Sequence, residues 1–212
     1  MIRATFPLSA LVLALGLATT SPGMAQDGGL YADVPDPNAS FVRVVAADLT
    51  TAMVASTSFD APPSGVTGYV MVPQPGEVNI MAGAAEATVT IEAGKYYSYV
   101  VGADGTGTLV AEDVNSSPAQ AGVTFFNLSD LAKVDLYVPA AKAVAVAAVA
   151  ANSSGSVALK APLSLEFEVR DGDKILATLP AIDLKRRAGL AIVFKGAAGS
   201  YAVSKVDSTL AN

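Results

Sequence analysis

The chain has 212 residues with 13 basic and 19 acidic side chains, a formal net charge of −6, and no histidine, cysteine or tryptophan. It therefore cannot build a Ser-His-Asp or Cys-His catalytic site, a disulfide, or a zinc, copper or haem site of the usual kind, because these need imidazole or thiol groups. The acidic balance argues against nucleic acid as a partner and a hydrophobic content of 52% indicates a folded chain, so we expect a binding or assembly protein with no catalytic residue, cofactor or metal site.

Residues 1–25 have the pattern of a secretory signal peptide. Arg3 lies before an apolar run over residues 8–18, and Gly23-Met24-Ala25 forms a small-x-small cleavage site. The run is shorter than the ~20 apolar residues of a membrane span. We therefore expect a periplasmic chain that starts at Gln26, with 12 basic and 19 acidic residues and a net charge of −7. A lipoprotein anchor is excluded because there is no cysteine to carry it.

Residues 26–114 show the signals of a β-sandwich domain. A strand opens at residues 41–48, and residues 88–92 alternate between apolar and polar side chains. The turn residues 103–107 separate the strand Tyr96–Val101 from a strand over residues 108–110, which predicts a hairpin. Further turn signals lie at residues 62–65, 73–76 and 93–94, and another lies at residues 153–155 in the second half of the chain.

Three tyrosines stand close together in this domain. On a strand, Tyr97 and Tyr99 share one face and Tyr96 lies on the other. Tyrosine is common both in sandwich cores and at interfaces. Packing is the favoured interpretation, but Tyr97 and Tyr99 are also candidate contacts for a partner or a polymer, although carbohydrate stacking is weakened by the lack of tryptophan.

A weak internal repeat predicts a second domain over residues 115–212. Residues 123–130 match the opening strand 41–48, and residues 189–196 match the glycine-bounded strand 94–102. The polar segment 112–120 is the candidate linker. We therefore expect two small β-sandwich domains in tandem; one continuous sandwich is the alternative.

The second domain contains one ambiguous segment and one clear hairpin. Residues 140–151 combine helix-favouring alanines with valines at period two, and we interpret them as a strand plus a connection, with a short helix as the alternative. Residues 163–169 alternate so that Leu163 and every second residue after it face a core. Asp171-Gly172 then predicts a tight turn into a return strand over residues 174–179.

Two charged groups are candidate sites. Asp171 with Asp173, and Asp33 with Asp36, are paired carboxylates, but neither pair matches a calcium-loop pattern and a turn explains the first pair. Lys185, Arg186 and Arg187 form the one basic run. It is either a solvated turn or an electrostatic contact for an acidic partner or an anionic polymer.

The order of these motifs resembles the AlgF family of periplasmic alginate O-acetylation proteins. The most specific matches are Leu30-Tyr31, the strand start at residues 40–44, and Asn127-Leu128-Ser129-Asp130. The hairpin at residues 168–174 and the strand pair near the end of the chain follow in the same order. Residues 62–76 and 140–151 depart from the family pattern.

The resemblance implies a role in exopolysaccharide biosynthesis without catalysis by this chain. The resemblance implies that the chain is needed to attach acetyl groups to alginate, and that it acts as an adaptor or acetyl relay between a membrane acyltransferase and periplasmic O-acetyltransferases. Two alternatives stay open. The first is that the chain is a carbohydrate-binding module for an anionic exopolysaccharide such as alginate. The second is that it carries acetyl groups on a serine, lysine or tyrosine that a partner's base activates.

Overall fold

The computed structural model describes residues 36–114 and 117–211. The predicted signal peptide, Asp33 and the Leu30-Tyr31 motif lie outside the described residues. The described chain is almost entirely β-strand, with two short 3₁₀ turns at Pro63–Gly65 and Pro139–Ala141. No helix in the described ranges is long and apolar enough to cross a membrane.

The first eight strands form two four-stranded sheets. The inner N-terminal sheet has the order β4-β1-β7-β8 and the outer N-terminal sheet has the order β3-β2-β5-β6. Strands β1 and β7 are parallel neighbours, and every other pair in these two sheets is antiparallel. The strands are β1 (Ser40–Ala46), β2 (Thr51–Val54), β3 (Thr57–Asp60), β4 (Val70–Val72), β5 (Gly76–Ala82), β6 (Ala85–Ile91), β7 (Tyr96–Val101) and β8 (Gly107–Glu112).

The last eight strands repeat this topology. The inner C-terminal sheet has the order β12-β9-β15-β16 and the outer C-terminal sheet has the order β11-β10-β13-β14. Adding eight to each strand number of the first domain reproduces both orders, and β9 and β15 are again parallel. The strands are β9 (Gln120–Ser129), β10 (Lys133–Val138), β11 (Ala143–Ala150), β12 (Ser153–Lys160), β13 (Leu163–Asp171), β14 (Lys174–Leu184), β15 (Gly189–Ala197) and β16 (Ser200–Ser208).

The matching sheet pairs confirm the prediction of two tandem β-sandwich domains. The internal repeat has a structural meaning, because β1 and β7 occupy in the first domain the places that β9 and β15 occupy in the second. The domain boundary between residues 114 and 115 stays a prediction, since residues 115–116 are not described.

Three large apolar cores and a smaller cluster around Phe41 and Tyr69 hold four sheet layers together. Each domain has a core between its outer and inner sheets. A third core lies between the two inner sheets, where Val45 and Val100 meet Phe126 and Val193. Both faces of β1 are therefore buried, which explains why all seven of its residues are inaccessible. The sheets stack in the order outer, inner, inner, outer, and the outward faces of the two outer sheets point in opposite directions.

Most local predictions in the second domain are confirmed. Residues 143–150 form strand β11 and not a helix. The Asp171-Gly172 turn joins β13 to β14, with Gly172 at φ 59°. Leu165 and Phe167 face the core, but the prediction that Leu163 does so is wrong: it is 47% exposed at the start of the strand.

Two turn or linker predictions are also wrong. Residues 153–155 belong to β12, and the chain turns one step earlier, at Asn152 with φ 55°. Close packing explains the glycine at position 155, because a Cβ atom there would lie 2.5 Å from Val146 Cγ1. Glu112, assigned to the linker, is the buried last residue of β8.

Candidate interaction surfaces

A cluster of charged and hydroxyl side chains, of the types found in catalytic sites, lies between the two inner sheets. Arg43 on β1 is 1% exposed, and it pairs with the carboxylate of Glu112 through Nε–Oε1 at 3.0 Å and Nη2–Oε2 at 2.7 Å. Ser98 donates to the same carboxylate and accepts from Arg43 Nε at 2.8 Å. The second domain contributes Ser208, which accepts from Arg43 Nη1 at 3.1 Å, and Thr124, which donates to Glu112 Oε2 at 2.8 Å.

Aromatic rings complete the enclosure of the guanidinium. The Arg43 Cζ atom lies 4.4 Å from the ring centre of Tyr69 in the first domain and 5.0 Å from that of Phe126 in the second. An arginine between two rings adds cation–π attraction to the ion pair. No buried side-chain nitrogen or oxygen in the described ranges lacks a hydrogen-bond partner. The cluster is therefore a satisfied joint between domains, closed to a substrate.

Burial and charge act together on the titrating groups of this cluster. Desolvation would lower the pKa of Arg43, but the carboxylate of Glu112 and the neighbouring Tyr69 raise it, so it lies above its usual value. Burial raises the pKa of Tyr69 well above its usual value; Arg43 opposes the rise and Glu112 adds to it. Arg43 therefore stays charged and Tyr69 stays neutral at physiological pH.

Two further ties cross the joint. Lys195 on β15 donates from Nζ to the Ala47 carbonyl at 2.6 Å. The segment after β16 pairs with the first domain, where the Tyr69 amide donates to the Thr209 carbonyl at 2.8 Å and the Ala211 amide donates to the Tyr69 carbonyl at 2.7 Å. With the apolar core and the Arg43 cluster, these bonds hold the two domains in one arrangement.

The Asn127-Leu128-Ser129-Asp130 motif has a structural role at the far end of β9. The buried Asn127 donates from Nδ2 to the Leu131 and Val149 carbonyls at 3.1 and 3.0 Å, and its Oδ1 accepts from the Ser129 amide and hydroxyl. Asp130 accepts from the Tyr201 hydroxyl at 2.9 Å. Backbone and tyrosine donors thus lower the pKa of Asp130. The motif ties the β9–β10 turn to strands β11 and β16 of the second domain.

The predicted tyrosine contacts lie in the wrong place for a polymer. Tyr97 and Tyr99 do share a face, but they are only 6% and 4% exposed and pack in the core of the first domain. Gly107 keeps space for this packing, since a Cβ there would lie 2.0 Å from the Tyr99 ring. Their burial corrects the polymer-contact interpretation and agrees with packing. Tyr96 faces the joint, stacked on Phe41 at 4.6 Å.

The basic run forms an exposed turn between β14 and β15. Lys185, Arg186 and Arg187 are all exposed, and Arg187 has φ 59°. Arg186 donates from Nε to the Ala161 carbonyl at 3.0 Å, which brings the turn next to the exposed Lys160 at the end of β12. Whether this group contacts a partner or a polymer stays a prediction, but its position leaves it accessible.

Of the two carboxylate pairs, Asp171 with Asp173 lies within the described residues, and Asp33 of the other pair lies outside them. No group of three or more potential metal ligands converges within the described ranges. Asp171 pairs with Lys174 across the hairpin turn, and Asp36 Oδ1 accepts from the Asn38 amide at 2.9 Å. Turn formation accounts for both residues.

Charge is divided unequally between the two domains. Residues 36–114 hold nine acidic and two basic side chains, whereas residues 117–211 hold eight acidic and ten basic ones. The two cations of the first domain are both paired, Arg43 with Glu112 and Lys95 with Glu92. The outward face of the first domain is therefore acidic, and the basic turn belongs to the second domain.

On the outward face of the outer C-terminal sheet, charged side chains pair with one another. Arg170 lies over the ring of Tyr137, with Cζ 3.5 Å from its centre, and donates from Nε to Glu168 Oε2 at 2.7 Å. Tyr137 pairs with Glu168 across β10 and β13, so the three side chains form one connected patch. Tyr137 therefore already has a stacking partner on this face.

We expect that replacing Arg43 with methionine lowers the free energy of unfolding by about 3–5 kcal/mol, because Glu112 is then a buried charge without a partner. The double replacement Arg43→Met and Glu112→Met should recover more than half of the loss. Urea unfolding of the full chain measures both. Lys95→Met, which breaks an exposed pair, is the control and should change little. Equal losses in the single and double variants would contradict the pairing.

We also expect stability to fall in alkali because of Tyr69. Its pKa is raised in the folded state, so its contribution is present below the unfolded value of about 10 and is lost as the pH rises through the folded value. The urea midpoint should fall more steeply between pH 9 and 11 in the wild type than in Tyr69→Phe. Parallel curves for the two proteins would show that Tyr69 is not the group responsible.

Comparisons with known proteins place the chain in a family. Residues 12–191 match the family model described as alginate O-acetyl transferase AlgF. No curated protein matches the sequence. Among solved structures, the C-terminal domain of AlgF from P. aeruginosa shares 26% identity, with 42% of this chain and 98% of that chain covered and a TM-score of 0.38.

A carbohydrate-binding domain is also among the solved structures found. This is CBMbc, of family CBM26, from Eubacterium rectale Amy13K in complex with maltoheptaose, with 9% identity, 79% of this chain and 97% of that chain covered, and a TM-score of 0.29. Neither structural match decides the family; the family model does, because it spans most of the chain. It confirms the resemblance seen in the sequence motifs: the chain belongs to the AlgF family of alginate O-acetylation proteins.

Proposed function

We propose that the protein is a non-catalytic periplasmic adaptor in alginate O-acetylation, linking a membrane acyltransferase to periplasmic O-acetyltransferases. Family membership supports the pathway. The observation that carries the adaptor role is the four-layer stack, in which a closed joint holds two outward faces in opposite directions. With about 10 Å between packed sheets, these faces are roughly 30 Å apart. A rigid body of this kind can hold two partners at a set separation.

The residue chemistry supports a role without catalysis. Acetyl transfer needs a nucleophile and a base, and the chain has neither histidine nor cysteine. Ser98, which bonds Glu112, and Ser208, which bonds Arg43, lie in the closed Arg43 cluster, and Ser98 is 0% exposed. We therefore propose that the reacting groups are those of the partners.

A bridging experiment tests the adaptor role. The membrane acyltransferase is tagged and purified in mild detergent from cells with and without this chain. We expect a periplasmic O-acetyltransferase to be retained only when the chain is present. Retention that is the same in both cells would contradict the linking role. Acetylation of alginate by the purified chain with an acetyl donor would contradict the absence of catalysis.

A second candidate function is binding of an anionic exopolysaccharide. The exposed turn of Lys185, Arg186 and Arg187, with Lys160 beside it, favours this role because several cations meet at one end of the second domain.

Titration with alginate oligomers at low salt tests this second role. We expect heat release in calorimetry and weaker binding by the triple variant Lys185→Gln, Arg186→Gln, Arg187→Gln. Lys174→Gln, on the β13–β14 hairpin, is the control. The absence of heat and of chemical-shift changes would exclude polymer binding.

A further inference from the structure

The outward face of the outer N-terminal sheet has a feature that the joint and the basic turn do not use. A shallow cavity of about 490 Å³ opens on this face, lined by Met53 and Met81 with Asn79, Glu86 and Thr88. Met53 and Met81 are directly opposite each other on β2 and β5. Both are only half-buried, so two flexible apolar side chains line a surface open to solvent.

Register explains how the cavity is bounded. Met81 pairs with Glu86 on β6, and Met53 pairs with Ser58 on β3, so one row across the sheet runs from a carboxylate through two thioethers to a hydroxyl. In the neighbouring row, Thr88 donates to Asn79 Oδ1 at 2.9 Å. Side chains directly opposite on neighbouring strands lie about 5 Å apart. The methionines therefore form a continuous apolar strip beside a carboxylate.

The charge on this sheet has a single sign. Asp60, Glu77 and Glu86 are exposed on its strands, and none of its four strands carries a lysine or arginine. The corresponding face of the second domain differs, since Glu168 there is paired with Arg170. The acidic face thus has an uncompensated field, which attracts cations and repels a polyanion.

We propose that this face is a docking surface for a protein segment that presents a large apolar side chain flanked by lysine or arginine. The apolar side chain enters between Met53 and Met81, whose unbranched side chains adapt to different shapes. The flanking cation meets Glu86 or Glu77. The same face of a second copy is excluded as the occupant because it would bring six carboxylates together, and an alginate chain is excluded by its own negative charge.

The inference goes beyond the adaptor role and does not depend on it, because it concerns the chemistry of one surface. It is tested on the full chain labelled with ¹³C at the methionine methyl groups. The probe is an eight-residue peptide of alternating lysine and leucine, with blocked ends. Met71 is an internal control, since it is 55% exposed but lies on β4 of the inner sheet.

We expect the Met53 and Met81 signals to shift saturably with the peptide and the Met71 signal to stay in place. The double variant Glu77→Gln, Glu86→Gln should bind roughly fivefold more weakly, because it loses two rim charges. Glu166→Gln, which removes an exposed carboxylate from the outer C-terminal sheet, should bind like the wild type.

Three results would overturn the proposal. The first is no shift of Met53 and Met81, or an equal shift with a glutamate–leucine peptide. The second is an equal shift of Met71, which would mean unspecific contact. The third is a shift of Met53 and Met81 with protein concentration alone, which would make a second copy the occupant.

Discussion

The arrangement of the two domains depends on one buried ion pair. Taking Arg43 and Glu112 out of water costs free energy that their attraction offsets only if every remaining donor and acceptor is bonded. Here Ser98 comes from the same domain, while Thr124 and Ser208 come from the other. Neither domain alone can satisfy the pair, so the charges favour the docked state over any arrangement that leaves them half solvated.

This dependence links the joint to the proposed role. A purely apolar interface between the inner sheets would tolerate sliding, because the hydrophobic effect is not directional. The hydrogen bonds from Arg43 to Ser208 and from Thr124 to Glu112 are directional, and they set the register of one inner sheet on the other. The outward faces therefore keep their relative orientation. A fixed orientation suits a protein that holds two partners apart. It also gives a structural role to Arg43, Glu112 and Ser98, whose residue types resemble those of a catalytic site.

Local patterns in the sequence predicted the sandwiches and missed the joint. The alternation of apolar and polar side chains and the Asp171-Gly172 turn depend on residues close in the chain, so the sequence alone predicts them. The Arg43–Glu112 pair joins residues 69 positions apart, and its only local sign is one charge inside the apolar strand β1. Gly155 was misread because a glycine needed for close packing looks the same in a sequence as a glycine needed for a turn. Tyr97 and Tyr99 were assigned correctly to one face, but the choice between core and surface needed the opposite sheet.

The return of residues 209–211 to Tyr69 also has a consequence for the order of folding. A chain synthesised from its N-terminus completes the first sandwich well before β16. Ser208 is the last residue of β16, and Thr209 follows it. Until then, the partners of Arg43 within the first domain are Ser98, Glu112 and the ring of Tyr69. The joint closes only when β16 and the residues after it are in place, so the two sandwiches become one body last.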